Sequence, residues 1–136
     1  MEGLVARCLE IPCVRSKQSR MASPGTQALY VADACAAGPP EAFIDGHEFS
    51  HIHPLPEGTI HLTLPKVLGD EVIRLGWAEP HPIAVTGILP ALLTVYAPRD
   101  GEEMDVVFHL VARSCLFAQG KLPQLLGEER YLRSAP

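Results

Sequence analysis

His47 to Pro65 reads HEFSHIHPLPEGTIHLTLP and holds four of the chain's six histidines. The stretch reads as a β-hairpin, two short strands separated by a Pro- and Gly-containing turn. Side chains alternate along a strand, so His51 and His53 share one face. Where His61 falls depends on the turn. A loop of Pro56-Glu57-Gly58, closed by Leu55 and Thr59, suits Gly58, because such loops end on a left-handed residue that glycine supplies at least steric cost. His53 then pairs with His61 and His51 with Thr63, while Ile52, Ile60, Leu62 and Leu64 form an apolar face. A loop of Leu55 to Gly58 instead slips the register by one and sets His51 and His53 among the aliphatic residues. The shorter loop segregates the faces better and gathers His51, His53 and His61 on one side.

Outward from the hairpin, the elements are short. EGLVARCLEI predicts a short helix ending before Pro12, PCVRS and TQALYVA predict strands, and Pro40 opens at most one helical turn in CAAGPPEAFIDG. Leu64, Leu68, Val72 and Leu75 recur at helical spacing up to Gly76, a natural stop. ALLTVYAP predicts a buried strand. RDGEEMDVVFHLVARSCLFAQG is the clearest helix, with Asp100 and Glu103 at capping-box spacing and an apolar stripe of Met104, Val107, Phe108, Val111, Cys115 and Ala118. Gln124 to Arg133 predicts a last short helix interrupted at Gly127. The fold class expected is α+β: one domain over residues 1–136, a mostly antiparallel sheet of four to five strands with the hairpin at its centre, and two main helices packed on one face.

Thirteen prolines and eleven glycines in 136 residues argue against a bundle of long helices. The net charge is −5 and the basic residues are scattered, Arg15, Lys17 and Arg20 being the densest run, so nucleic acid is not an expected partner. Neither a secretory signal nor a run of about 20 apolar residues is present, so no membrane association is expected. Cys8, Cys13, Cys35 and Cys115 lack CxxC spacing and read as reduced thiols of a cytoplasmic protein. Oligomeric state leaves no mark in the sequence.

The histidines carry the chemistry. Imidazole titrates near neutral pH, so His51, His53 and His61 could move protons for a small-molecule ligand without a cofactor. Glu48 faces away from His51 in an ideal strand and joins the site only through a bulge or an open sheet edge. In GWAEPHPIA, Pro80 and Pro82 stiffen the backbone on either side of His81, which lets a loop hold an imidazole in place. A structural loop is the alternative. Trp77 reads as a core anchor, His109 as a helix-boundary residue, and His47 carries no separate signal. No cofactor is expected. A transition metal is the one the imidazoles could hold, through His51, His53 and His61. HIHPLPE has the HxH-x3-E spacing of the first cupin metal motif, but the second motif is missing and two helices do not suit a cupin barrel.

EFSHIHPLPEGTIHLTLP, then GWAEPHP, then VYAPRDGEEMDVVFHLVARSCLFAQG, with SPGTQALYVAD upstream, resemble the luciferase-domain proteins of bacteria and fungi over roughly residues 12–120. That family's pattern is an E-x-x-H-x-H strand, a glycine turn, a strand ending in proline, and a helix leading to a Pro-His loop. It maps onto Glu48, His51, His53, Gly58, Pro65, Pro80 and His81, with His61 less firmly included. The family label implies light-emitting oxidation, yet the sequence carries no flavin, nucleotide or coenzyme motif. The expected function is a small-molecule-binding domain, with His51, His53, His81, Glu48 and His61 as candidate acid–base residues. The alternatives are a non-catalytic ligand-binding or interaction domain with structural histidines, and a histidine-ligated metal protein.

Overall fold

The computed structural model describes residues 1–20, 22–121 and 133–136. In chain order the elements are α1 (Glu2–Cys8), β1 (Val14–Gln18), β2 (Gln27–Val31), β3 (Glu48–Ile52), β4 (Ile60–Thr63), α2 (Lys66–Arg74), β5 (Ala78–Pro80), α3 (Pro82–Val85), β6 (Leu92–Val95) and α4 (Gly101–Ala118). The strands form one six-stranded sheet in the order β1-β2-β3-β4-β6-β5, with every neighbouring pair antiparallel.

The class is α+β, but the expected count of four to five strands and two main helices is corrected. The described residues contain six strands and four helices, of which α1, α2 and α4 are substantial. The strand that escaped is β5, hidden in a proline-rich stretch. Pro80 has no N–H for a ladder, and a sheet edge, where β5 lies, is where a strand tolerates that loss. The α1 helix belongs with the main ones because Leu4 and Cys8 are buried and Arg7 reaches α4, pairing with Asp105 at 2.6 Å and lying over the Phe108 ring. The helix expected over Gln124 to Arg133 lies, apart from Arg133, outside the described residues.

The apolar face of the sheet contributes Leu29, Val31, Ile52, Ile60, Leu62 and Val95 to the core, against Leu68 and Val72 of α2 and Val107, Leu110 and Val111 of α4. Trp77 is buried there too. The α4 helix opens on Asp100, whose carboxylate accepts the Glu103 N–H at 2.8 Å, as the capping spacing predicts. Glu103 itself turns back to the Arg99 N–H at 2.9 Å, one residue earlier than a capping box requires.

The hairpin register differs from the expected one by two residues. Ser50 pairs with Leu62, His51 with His61 and Ile52 with Ile60, and the His53 N–H donates to the Thr59 carbonyl at 3.0 Å. The connection is therefore Pro54 to Gly58, closed by a hydrogen bond from the Gly58 N–H to the Pro54 carbonyl at 3.1 Å, with Gly58 left-handed at φ +66°. Pairing with β4 thus ends at His53, and the connection that follows holds two prolines, Pro54 and Pro56. A slip of two residues leaves every side chain on its original face, so the histidines still share one.

Cys13 and Cys35 form a disulfide with Cα atoms 6.4 Å apart, which corrects the expectation of four reduced thiols. Their distance in sequence hid the pairing. Antiparallel β1 and β2 align Val14 with Val31, and the Ala32 N–H donates to the Cys13 carbonyl, so the turn after β2 lies beside Cys13. Cys8 and Cys115 are free and buried. Disulfides persist in oxidising compartments, so the cysteines no longer argue for a cytoplasmic location. No described helix is long and apolar enough to cross a membrane.

Candidate functional site

The pairing registers set Ala28, His51, His61, Thr94 and Glu79 in one row across β2, β3, β4, β6 and β5. His53 lies two residues beyond His51 on the same face. His81 follows Glu79 by two, and its N–H extends the β5–β6 ladder to the Leu92 carbonyl. Sheet geometry alone thus brings four imidazoles to one face. Ring centroids are 4.7 Å apart for His51–His61 and for His53–His61, 5.1 Å for His51–His53 and 4.5 Å for His61–His81.

Glu48 joins them through a bulge. Leu29 pairs with Ser50 but Tyr30 pairs with Glu48, so Phe49 is an extra residue in β3. Phe49 is buried in the core, and the shift turns Glu48 onto the histidine face, the one condition under which the sequence admitted it. All five residues singled out in the sequence therefore converge. His47 and His109 do not: His47 pairs with Asp33 at 2.9 Å and His109 is exposed on α4.

Hydrogen bonds fix the tautomers. A carboxylate only accepts, so the contact of 2.8 Å between Glu48 Oε2 and His51 Nδ1 places a proton on that nitrogen and a lone pair on His51 Nε2. That lone pair meets His61 Nδ1 at 2.7 Å. His53 Nδ1 faces Thr26 Oγ1 at 3.3 Å and the Glu57 carboxylate at 3.5 Å, which places its proton there and leaves Nε2 unprotonated. Buried Nε2 of His53 has no hydrogen-bond partner among the described residues, and neither does Oε1 of Glu48. His81 Nδ1 accepts the Ile83 N–H at 3.0 Å, so its neutral ring carries a proton on Nε2.

Burial favours the neutral form of His53, His61 and His81. It lowers the His61 pKa to about 3, aided by the neighbouring His51, His53 and His81. Burial also lowers the pKa of His53, against the opposing pull of Glu57, and that of His81, where His51 adds to the effect. Neutral imidazoles keep the lone pairs that bind a metal or accept a proton. One nitrogen each from His51, His53 and His61 lies within 4.8 Å of the others, so the triad can coordinate a metal ion or another ligand.

Sequence reasoning missed Thr26, which lies on another strand's approach and carries no local signal. It touched Glu57 only as the acid of the HxH-x3-E spacing. Glu57 is more than half exposed and steadies His53 from the turn.

Residues 46–114 match the luciferase-domain family model. The chain belongs to the luciferase-domain family. Proteins named luciferase from the fungi Armillaria gallica and Armillaria mellea are each 39% identical to it over 70 residues, and one from Neonothopanus nambi is 40% identical over 70. Each alignment covers 49% of this chain and 26% of the relative, so the luciferase domain seen here corresponds to about a quarter of those proteins. No solved structure matches it. The luciferase-domain match contains Glu48, His51, His53, His61 and His81 but leaves out α1, β1, β2 and Thr26.

Proposed function

We propose that this luciferase domain binds a small, mainly apolar molecule beside the histidine face, with His53 at the polar end of its site. The observation that carries the reading is a cleft of about 380 Å³ with Val5, Leu9, Ile52 and Pro54 among its apolar walls and His53, Gln27 and Glu2 as its polar lining. That size falls in the range of small-molecule pockets, which pair apolar walls with a few fixed polar groups. Anilinonaphthalene sulfonate, apolar rings bearing one anionic group, is a suitable probe. Its fluorescence should rise on saturable binding in a chelator-containing buffer. Ala6→Trp, which fills the cleft from an exposed position, should abolish that signal. Equal binding to this variant and to wild type would remove the cleft from the reading.

The hydrogen-bonded series Glu48–His51–His61 favours a second reading, in which the same face takes a proton from the bound molecule. A nitrophenol bound to the wild-type protein should then absorb as its phenolate below its free pKa, and His51→Ala should cancel the shift. An unshifted spectrum in the wild type counts against proton transfer and leaves binding without catalysis. The fungal relatives are named luciferases, and the light-emitting oxidation that name denotes is theirs. Its counterpart here would have to act on whatever this cleft admits.

A further inference from the structure

We propose that His51, His53 and His61 bind one divalent first-row transition metal ion, with Glu48 supporting His51 from behind and His81 outside the ligand set. This goes beyond the cleft reading and does not depend on it. An ion could occupy the triad whether or not the cleft holds a molecule.

The first observation is the orphaned nitrogen. His53 is 6% exposed, its Nδ1 is engaged by Thr26 and Glu57, and its Nε2 has no partner among the described residues. A buried polar atom without a partner costs about 1–3 kcal/mol, and coordination would satisfy it. The second is the contact of 2.7 Å between His51 Nε2 and His61 Nδ1, two ring nitrogens with one proton between them. An ion takes the place of that proton, which moves to the other nitrogen of His61. Both rings stay neutral, and no redox partner is needed.

The third observation is size. Metal–nitrogen bonds of about 2.0–2.1 Å in a tetrahedral site put ligand nitrogens roughly 3.3 Å apart. The pair at 2.7 Å and the triad limit of 4.8 Å bracket that spacing, so small ring rotations suffice and the strands need not move. Glu48 then has the part usual for a carboxylate behind a metal-bound histidine, fixing the ring and raising its basicity through Nδ1–H. His81 cannot ligate in its neutral form, since its lone pair on Nδ1 is taken by Ile83 N–H. Three imidazoles leave a fourth position open, as in sites where a metal binds water or a ligand oxygen, and the Nε2–H of His81 is a donor beside them.

Metal-free wild-type protein should be titrated with cobalt(II) alone and followed by visible d–d absorption. A second titration, zinc(II) into 15N-labelled protein, reads each histidine ring by long-range 1H–15N spectra. A single ion should saturate with four-coordinate absorption, ring nitrogens of His51, His53 and His61 should shift, and His81 Nδ1 should stay in place. His53→Ala should weaken binding beyond the roughly 100-fold that loss of a supporting outer residue costs. His109→Ala should leave it unchanged. Absence of a saturable single-ion phase, or ring shifts at His47, His81 or His109 in place of the triad, would overturn the proposal. The ring spectra use wild-type protein, so poor folding of His53→Ala cannot hide the answer. Sulfonate binding is measured in chelator, so failure of the metal site and failure of the cleft appear separately.

Discussion

Opening the Cys13–Cys35 disulfide should lower the thermal midpoint by about 12 °C. The cysteines are 22 residues apart in sequence. Closing a loop of that length removes roughly 11 cal/mol/K of chain entropy from the unfolded state, or about 3.4 kcal/mol at 25 °C in the loop-closure account. At about 2.1 cal/mol/K per residue, a domain of this length unfolds with an entropy near 0.29 kcal/mol/K, which converts the loss to a shift of roughly 12 °C. A second contribution separates two ways of breaking the bond. Cys13 is left-handed at φ +73°, a conformation that costs a residue with a Cβ about 1–2 kcal/mol and glycine almost nothing. Cys13→Ser should therefore show the full loss, and Cys13→Gly should recover about 1 kcal/mol of it. Scanning calorimetry of the oxidised protein and of both variants, with dithiothreitol added in parallel, tests the whole chain of reasoning. If oxidised and reduced protein melt within 2 °C of each other, or Cys13→Gly proves less stable than Cys13→Ser, the reasoning is wrong.

Three further outcomes follow from individual contacts. Burial pushes the Cys8 thiol up to about 12 and raises that of Cys115, so an aromatic disulfide reagent at pH 8 should register neither cysteine until denaturant is added. Prompt release of chromophore from folded protein would show that one of them is accessible as thiolate. A methyl group on Gly38 would overlap the backbone carbonyl of Phe117 and come within 2.8 Å of that of Ala118, so Gly38→Ala should cost about 1–3 kcal/mol in urea unfolding. An unchanged urea midpoint would mean that the chain before η-turn Pro40–Ala42 does not pack on the end of α4 as described. Glu48→Gln keeps an acceptor for His51 Nδ1–H but removes the charge. Its cobalt affinity, measured by competition with a chromophoric chelator, should fall by about 10–100-fold. Affinity equal to wild type would deny Glu48 its supporting part.

The histidine face was legible in the sequence although the turn was misjudged, and the reason is parity. Strand side chains repeat every second residue, so an error of two in register leaves His51, His53 and His61 on the face where alternation had put them, while an error of one would have scattered them. Which residues pair is decided by backbone chemistry at the loop. The ladder to β4 stopped at the bond from His53 to Thr59, which leaves five residues, Pro54 to Gly58, in the connection. Glu48 shows the opposite limit. Its face depends on one inserted residue, Phe49, and nothing in EFSHI marks where a strand will bulge. The fold class could be read from the order of the elements, but β5 could not, because a three-residue edge strand containing Pro80 is set by β6 rather than by its own propensities. Thr26 and the Cys13–Cys35 pair were out of reach for a related reason, since both are contacts between segments distant in sequence. The same logic explains why the site has its form. A row running Ala28, His51, His61, Thr94, Glu79 is assembled from five strands, and the small residues Ala28 and Thr94 flank the two histidines. His81, opposite Leu92, then reaches the His61 ring diagonally across β6, which puts Thr94 between His61 and Glu79. Thr94 is the direct neighbour of His61 on β6, so Thr94→Phe should displace the His61 ring and with it the contact to His81, which the long-range 1H–15N spectrum of both rings would read; unmoved ring signals would deny Thr94 that part.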